Sequence, residues 1–367
     1  MKVSFIDLQS QYYSIKKEID DSIQRVLHDT AFSAGPYVKE FETNFAIKHN
    51  AKFCIGVNSG TAALHASLMA LGIGVGDEVI VPTNTFFATP EAVSLVGATP
   101  VFIDCELEYA NINTELIEKA VTSKTKAIIA VHLYGQSAKI DIINNIAKKY
   151  NIFFIEDAAQ AHLAEFNGSP IGTAGDCSCF SFYCGKNLGA YGEGGAVLTN
   201  DENLYNKIMM IRDHGSSIKY HHEVIGHNYR MAGIQGAILN VKLKYLEDWT
   251  NKRRKNADIY KAHLNVCSEI CLPYEMQGAK HVYHLFVIKA ENRDELAQYL
   301  LNKQIYTGLH YPIPCHLQKA YNFLGYKVGD MPISEKLSKE ILSLPMSEQL
   351  EEDQIIYVAN NIKEFYA

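Results

Sequence analysis

Over the first two thirds of the chain, short apolar runs alternate with stretches in which apolar residues recur every third or fourth position. The runs Phe53–Val57, Glu78–Val81, Pro100–Asp104, Ala127–Leu133, Phe153–Asp157, Cys177–Phe182 and Gly195–Thr199 are predicted strands. Several are apolar throughout, as strands covered on both faces must be. Between them, Thr61–Leu71 puts Leu64, Leu68 and Leu71 on one helical face and stops at Gly72, and Asp141–Tyr150 does the same with Ile142, Ile143, Ile146 and Tyr150. Such alternation predicts a mainly parallel α/β sheet. The last two strands are joined only by a glycine-rich loop, which breaks the alternation.

From about Ile234 the texture changes. Ala237–Thr250 and the basic stretch Lys252–Lys261 read as one long helix. Then come a strand (Tyr283–Ile288), a helix (Asp294–Lys303), a proline-rich loop (Tyr311–Cys315) and a last helix (Glu348–Tyr366). We therefore divide the chain into a large unit, 1–248, and a smaller α+β unit, 249–367, with a helix over 9–28 expected to pack on the smaller one. A length of 367 residues suits two such units.

Charge narrows the partners. The 34 Lys and Arg against 41 Asp and Glu give a net −7 with no basic block, a poor match to nucleic acid or an anionic membrane. No apolar run is long enough to span a bilayer, and the start of the chain turns polar at once, unlike a signal peptide. A cytoplasmic protein is expected. The eight cysteines lie mostly in apolar runs, without CxxC pairs or metal spacing, and read as reduced buried thiols. No metal is expected.

Three segments carry chemistry. Asn58-Ser59-Gly60-Thr61 follows a strand and opens a helix, which suits either a simple cap or an anion held on free N–H groups. In Glu156-Asp157, an acidic pair ends an apolar strand, the end of a parallel sheet where ligands bind. Asp157 is either a helix cap or a ligand group, and Glu156 is expected to point the other way. Lys186 is the one lysine in the loop Tyr183–Gly194, which holds four glycines. A lysine in surroundings of low polarity has a depressed pKa and attacks carbonyls. Together these are the parts of a pyridoxal phosphate site. The lysine forms a Schiff base, an acid about 30 residues before it pairs with the pyridine nitrogen, and a helix N-terminus and a serine hold the phosphate.

Over nearly its whole length the sequence resembles the DegT/DnrJ/EryC1/StrS sugar aminotransferases of fold type I, the aspartate aminotransferase superfamily. The motifs are Phe5-Ile6-Asp7-Leu8, Ala34-Gly35-Pro36, Asn58–Thr61, Gly76-Asp77-Glu78-Val79, Glu156–Gln160, Ser181–Lys186, Gly192–Gly195, Gly226–Met231 and His310-Tyr311-Pro312. The resemblance implies a seven-stranded, mostly parallel sheet flanked by helices, with a smaller C-terminal domain. It implies Lys186 as the Schiff-base lysine and Asp157 at the pyridine nitrogen. Gln160 would lie near the 3-hydroxyl, Phe86 would stack on the ring, and Gly60, Thr61 and Ser181 would bind the phosphate. Asn228 would reach that phosphate from a partner subunit, so the active unit would be a homodimer with shared sites.

Tyr183–Ala190, Lys219–His222 and His310–Gln318 resemble the branch acting at C3 of nucleotide-linked keto sugars such as dTDP-3-keto-6-deoxyhexoses. Tyr183, Tyr220, His221, Arg230, His310, Tyr311 and His316 are the substrate-binding candidates by that resemblance. Two positions depart from the branch: Cys184 replaces a common proline, and Leu163 a usual glycine, so a differently shaped substrate wall is expected. The implied reaction is a ping-pong transfer. L-Glutamate leaves its amine on the cofactor as pyridoxamine phosphate, and a nucleotide-diphosphate keto sugar then takes it, giving an amino sugar for surface polysaccharide of the O-antigen type. A UDP-linked 3-keto or 4-keto acceptor is the alternative within the chemistry, and a non-enzymatic sensor with the same fold the alternative outside it. Lys186 argues against the dehydratase relatives, which carry histidine there.

Overall fold

The structure is a computed structural model describing residues 1–367. Seven strands form the central sheet: β1 (Phe53–Val57), β2 (Glu78–Pro82), β3 (Thr99–Ile103), β4 (Thr125–Val131), β5 (Phe153–Asp157), β6 (Cys177–Ser181) and β7 (Gly195–Thr199). Their order is β1-β7-β6-β5-β4-β2-β3. The neighbours from β3 through β6 pair in parallel, while β7 is antiparallel to both β6 and β1. The exception sits where no crossover helix separates two strands, as the sequence pattern implied.

Each strand feeds both cores at once. Ile80, Ile128 and Phe154 lie in one cluster, and their neighbours Val81, Ile129 and Ile155 in the other. A period of two with both faces buried yields the continuous apolar runs. Helices α3 (Pro36–Lys48) and α7 (Ile140–Tyr150) serve the first cluster, and α4 (Gly60–Ala70) the second. The helices α1 (Leu8–Ser14), α2 (Lys16–Asp29), α5 (Ala88–Leu95), α6 (Thr114–Ala120) and α8 (Glu202–Arg212) complete this part. No helix is long and apolar enough to cross a membrane.

The structure differs from the sequence reading at several element boundaries. The expected long helix is two, α9 (Gly233–Leu243) and α10 (Leu246–Leu264), broken at Lys244-Tyr245. The reason is burial: α9 buries most of its surface, whereas α10 buries a stripe from Leu246 and Trp249 to Tyr260 and Leu264. Residue 248 falls in the first turn of α10, whose start packs with the large unit and whose end packs in the small one. The N-terminal helix is broken at Ile15; α2 packs on α9 and Trp249, through Ile15, Ile19, Ile238 and Val241, while Gln11 of α1 donates to Glu348 in the small unit at 2.6 Å. The C-terminal helix, α13 (Glu352–Tyr366), starts four residues late, because Glu348 is buried against Arg253 at 2.9 Å. The small unit also holds α11 (Arg293–Asn302), α12 (Pro332–Glu340) and a sheet of β8 (Ile270–Cys271), β9 (Phe286–Ala290) and β10 (Ile341–Leu344). The predicted strand at Tyr283 thus begins three residues late, since Tyr283 and His284 give their carbonyls to Arg253.

Candidate active site

The antiparallel β7 brings three chain segments to one edge of the sheet. Its first residue, Gly195, sits opposite both Val57 and Ser181. Ser59, just past Val57, caps α4 by accepting from the Ala62 amide at 3.1 Å. A Cβ on Gly60 would lie 2.7 Å from the Ser181 Cβ, so only glycine lets the start of α4 come this close. Gly60, Thr61 and Ser181 thereby border one cavity of about 600 Å³ at a helix N-terminus, where free N–H groups and the helix dipole favour an anion.

Asp157 enters the cavity from the end of β5. It is buried and held on both oxygens: the Thr89 hydroxyl donates at 2.7 Å and the Ala159 amide at 3.2 Å, while Thr89 also meets Thr85 at 2.9 Å. Burial raises its pKa, against the opposing pull of these donors and of Lys186. Lys186 stands in the β6–β7 loop, its amide donating to the Tyr183 carbonyl at 2.8 Å and its ammonium making no hydrogen bond or ion pair within the protein. Burial pushes its pKa down to about 8, with Asp157 alone pulling the other way. The loop itself is anchored: His162 Nε2 donates to the Ser181 carbonyl at 2.9 Å, and the buried Lys242 ammonium donates to the Gly189 carbonyl at 2.7 Å. Glu156, on the far side of the strand, is enclosed by Ser178, His132 and the Ala174 and Gly175 amides, and takes no part in the cavity.

The walls add flat surfaces. Phe86 is 55% exposed inside the cavity, so it is not a core aromatic, and its ring lies 5.6 Å from that of Tyr311. Gln160 accepts from the Tyr134 amide at 2.7 Å and donates to the Tyr311 hydroxyl at 3.0 Å, so it is a wall residue instead of a helix cap. The fit to pyridoxal phosphate is thus a matter of local chemistry: an unpaired lysine of lowered pKa, a buried carboxylate, an open aromatic face and a helix N-terminus that a single Cβ would crowd.

Of the other predicted residues, Tyr183, His310 and Tyr311 line the cavity. His310 is stacked on Phe5, and burial takes its pKa down to about 4, so it is neutral. His316 does not belong to the site. It is 1% exposed, bonded to Thr83 at 2.7 Å and Glu335 at 3.2 Å, and is a core histidine. Tyr220, His221, Asn228 and Arg230 do not line this chain's cavity. Tyr220 and His221 are exposed on the hairpin Ser216–Ile218/His221–His222, Asn228 is exposed, and Arg230 is paired with Asp213. Sequence reasoning missed Thr85, Thr89 and His284, and read Phe5, Ile6 and Glu193 only as motif. Of these all but Thr89 line the cavity. Their residue types are common and they come from separate elements, so no local signal marks them.

The model of the DegT/DnrJ/EryC1/StrS aminotransferase family matches residues 13–363. The chain is 46% identical over 368 residues to a pleiotropic regulatory protein of Geobacillus stearothermophilus, covering 100% of this chain and 99% of the relative. It is 43% identical over 363 residues to the dTDP-3-amino-3,6-dideoxy-α-D-galactopyranose transaminase of Aneurinibacillus thermoaerophilus, covering 99% of each. Among solved structures, S. venezuelae DesV in complex with a ketimine intermediate superposes with a TM-score of 0.97 at 40% identity, over 99% of this chain and 98% of that one.

Proposed function

The chain belongs to the DegT/DnrJ/EryC1/StrS aminotransferase family, with the fold type I architecture and pyridoxal phosphate as cofactor, and from that premise we propose that it aminates a nucleotide-linked keto sugar. The specific reading is transfer from L-glutamate to C3 of a dTDP-3-keto-6-deoxyhexose. The observation that carries the chemistry is Lys186, unpaired and with a lowered pKa, in the same cavity as the buried carboxylate of Asp157. The sugar class is supported by the transaminase relative from A. thermoaerophilus.

When bound, pyridoxal phosphate supplies an aldehyde carbon for capturing amines and a conjugated ring that spreads the charge left by proton removal. The protein supplies the rest. Asp157 serves the ring nitrogen, with Thr89 and the Ala159 amide fixing its orientation. Gly60, Thr61 and Ser181 receive the phosphate. Lys186 holds and moves the proton at Nζ, and a pKa of about 8 makes it a usable base near neutrality. Phe86 and the Gln160–Tyr311 pair confine the ring. Tyr183, His310 and Tyr311 offer neutral polar groups suited to sugar hydroxyls. In this reading Asn228, Tyr220, His221 and Arg230 serve the site of a second subunit, since none of them lines the cavity of its own chain.

The test is colour and product. Loaded protein should absorb in the visible, lose that band with L-glutamate, and then convert dTDP-3-keto-6-deoxyhexose into an amino sugar detected by mass spectrometry. A band that glutamate leaves untouched refutes the reading and favours the regulatory role in the name of the G. stearothermophilus relative. Shared sites have their own test: mixing Lys186→Ala with Asn228→Asp chains. One site of the mixed dimer then carries both defects and the other neither, so activity returns. If the chains exchange and nothing returns, Asn228 serves its own chain.

A further inference from the structure

The backbone from Val282 to Leu285, which carries His284, is held at three points. The Leu285 amide donates to the Tyr134 carbonyl at 3.2 Å and the Val282 amide to Gly135 at 2.9 Å, while Arg253 donates to the His284 carbonyl at 3.4 Å. Its ring lines the same cavity as Lys186. A neighbour decides which ring nitrogen carries the hydrogen. Asn187 Nδ2 donates to the Val282 carbonyl at 3.1 Å, so it is Asn187 Oδ1 that meets His284 Nδ1, at 3.2 Å. The reverse orientation would set two acceptor oxygens against each other. An amide oxygen only accepts, so Nδ1 carries the hydrogen and Nε2 is left as a bare lone pair. Burial, then the charges of Lys186 and Arg253, oppose a second proton on this ring and hold its pKa well below 6.5. No protein group donates to Nε2, and it is not among the sealed polar atoms, so it opens on the cavity.

We infer that His284 is a specificity-determining residue whose Nε2 accepts a hydrogen bond from a sugar hydroxyl beside the carbon that receives the amine. This rests on the keto-sugar reading above. The reacting carbon must come to Lys186, so the groups next to it reach the wall that His284 shares with that lysine. A bare lone pair offers nothing to the carboxylates of an amino-acid donor, which have no hydrogen to give. A hydroxyl satisfies it, and an acceptor left empty in a confined site disfavours a substrate lacking that hydroxyl.

The experiment follows the two half-reactions separately by rapid mixing. The probes are L-glutamate, the dTDP-3-keto-6-deoxyhexose and its 2-deoxy and 4-deoxy analogues. His284→Phe should lower kcat/KM for the sugar roughly 10- to 100-fold more than for glutamate. His284→Gln, which keeps an acceptor, should recover most of it. With one deoxy analogue the difference between wild type and His284→Phe should vanish. Independently of turnover, 15N spectra of the histidine-labelled, cofactor-free protein at pH 7 should show one protonated and one bare nitrogen for His284. Equal losses in both half-reactions, a loss that persists with both analogues, or two protonated nitrogens overturn the inference. Failure of the wild type itself with the sugar overturns the keto-sugar reading and this inference with it. Normal wild-type turnover with an unaffected His284→Phe overturns only the inference.

Discussion

Replacing Asp157 with Asn separates two jobs that one carboxylate does. In the cofactor-free protein, burial lowers the Lys186 pKa from 10.5 to about 8, and Asp157 is the group that resists the fall. At pH 7 a pKa of about 8 leaves roughly a tenth of the lysine as neutral amine, about 300-fold more than an unperturbed lysine would have. Asp157→Asn removes the opposing charge, so the pKa drops further and the neutral fraction rises toward one. Labelling of Lys186 by an acylating reagent at pH 7 should therefore quicken, by at most ~10-fold because the fraction cannot exceed unity. Turnover of the loaded enzyme should move the other way. A lost charge-assisted hydrogen bond costs a few kcal/mol, and at about 1.36 kcal/mol per decade this predicts a loss of roughly 100-fold or more. The assay is mass-spectrometric quantification of acylation at Lys186 between pH 6 and 10, beside steady-state kinetics. Slower labelling in the variant, or a midpoint moved upward, would refute the claim that Asp157 holds this lysine's proton. A turnover loss below tenfold would show that another residue serves the ring nitrogen.

Three further outcomes follow from the geometry. Gly60→Ala should weaken cofactor retention, because its Cβ falls 2.7 Å from that of Ser181; dialysis followed by absorbance measures it, and full retention would mean the backbone relaxes freely. Glu348→Ala leaves Arg253 and Gln11 without their buried partner and should cost about 3–5 kcal/mol in denaturant unfolding, the range for breaking a buried pair; a change under 1 kcal/mol would contradict that. Finally, burial lowers His49 to about 4 and His162 and His281 to about 3. Below the ordinary 6.5 the unfolded chain takes up protons that the folded one refuses, so stability should fall as pH drops from about 6.5 toward 4, by up to ~1.4 kcal/mol per pH unit for each histidine; a denaturation midpoint that is flat over this range would count against it.

The sheet, and two of the candidate residues that share the cavity, were legible from residues near one another in the chain. Apolar runs with period-two burial needed two covered faces, and this alone located all seven central strands. Lys186 and Asp157 announced themselves because a charge in an apolar or glycine-rich setting is costly unless it has a task. Elements that answer to distant partners were not legible. The break at Lys244-Tyr245 depends on which face each half buries, the late start of α13 on Glu348 meeting Arg253, and the displacement of His316 into the core on Thr83 and Glu335. Thr89 and His284 belong to the same class. A threonine becomes the anchor of Asp157, and a histidine gains a defined tautomer, only when folding sets another element within about 3 Å of it. Sequence by itself determined the layered sheet and the charges that could react. Tertiary structure decided which neutral side chains surround them, because a hydrogen bond depends on distances between elements far apart in the chain, and hydrophobic periodicity carries no record of those distances.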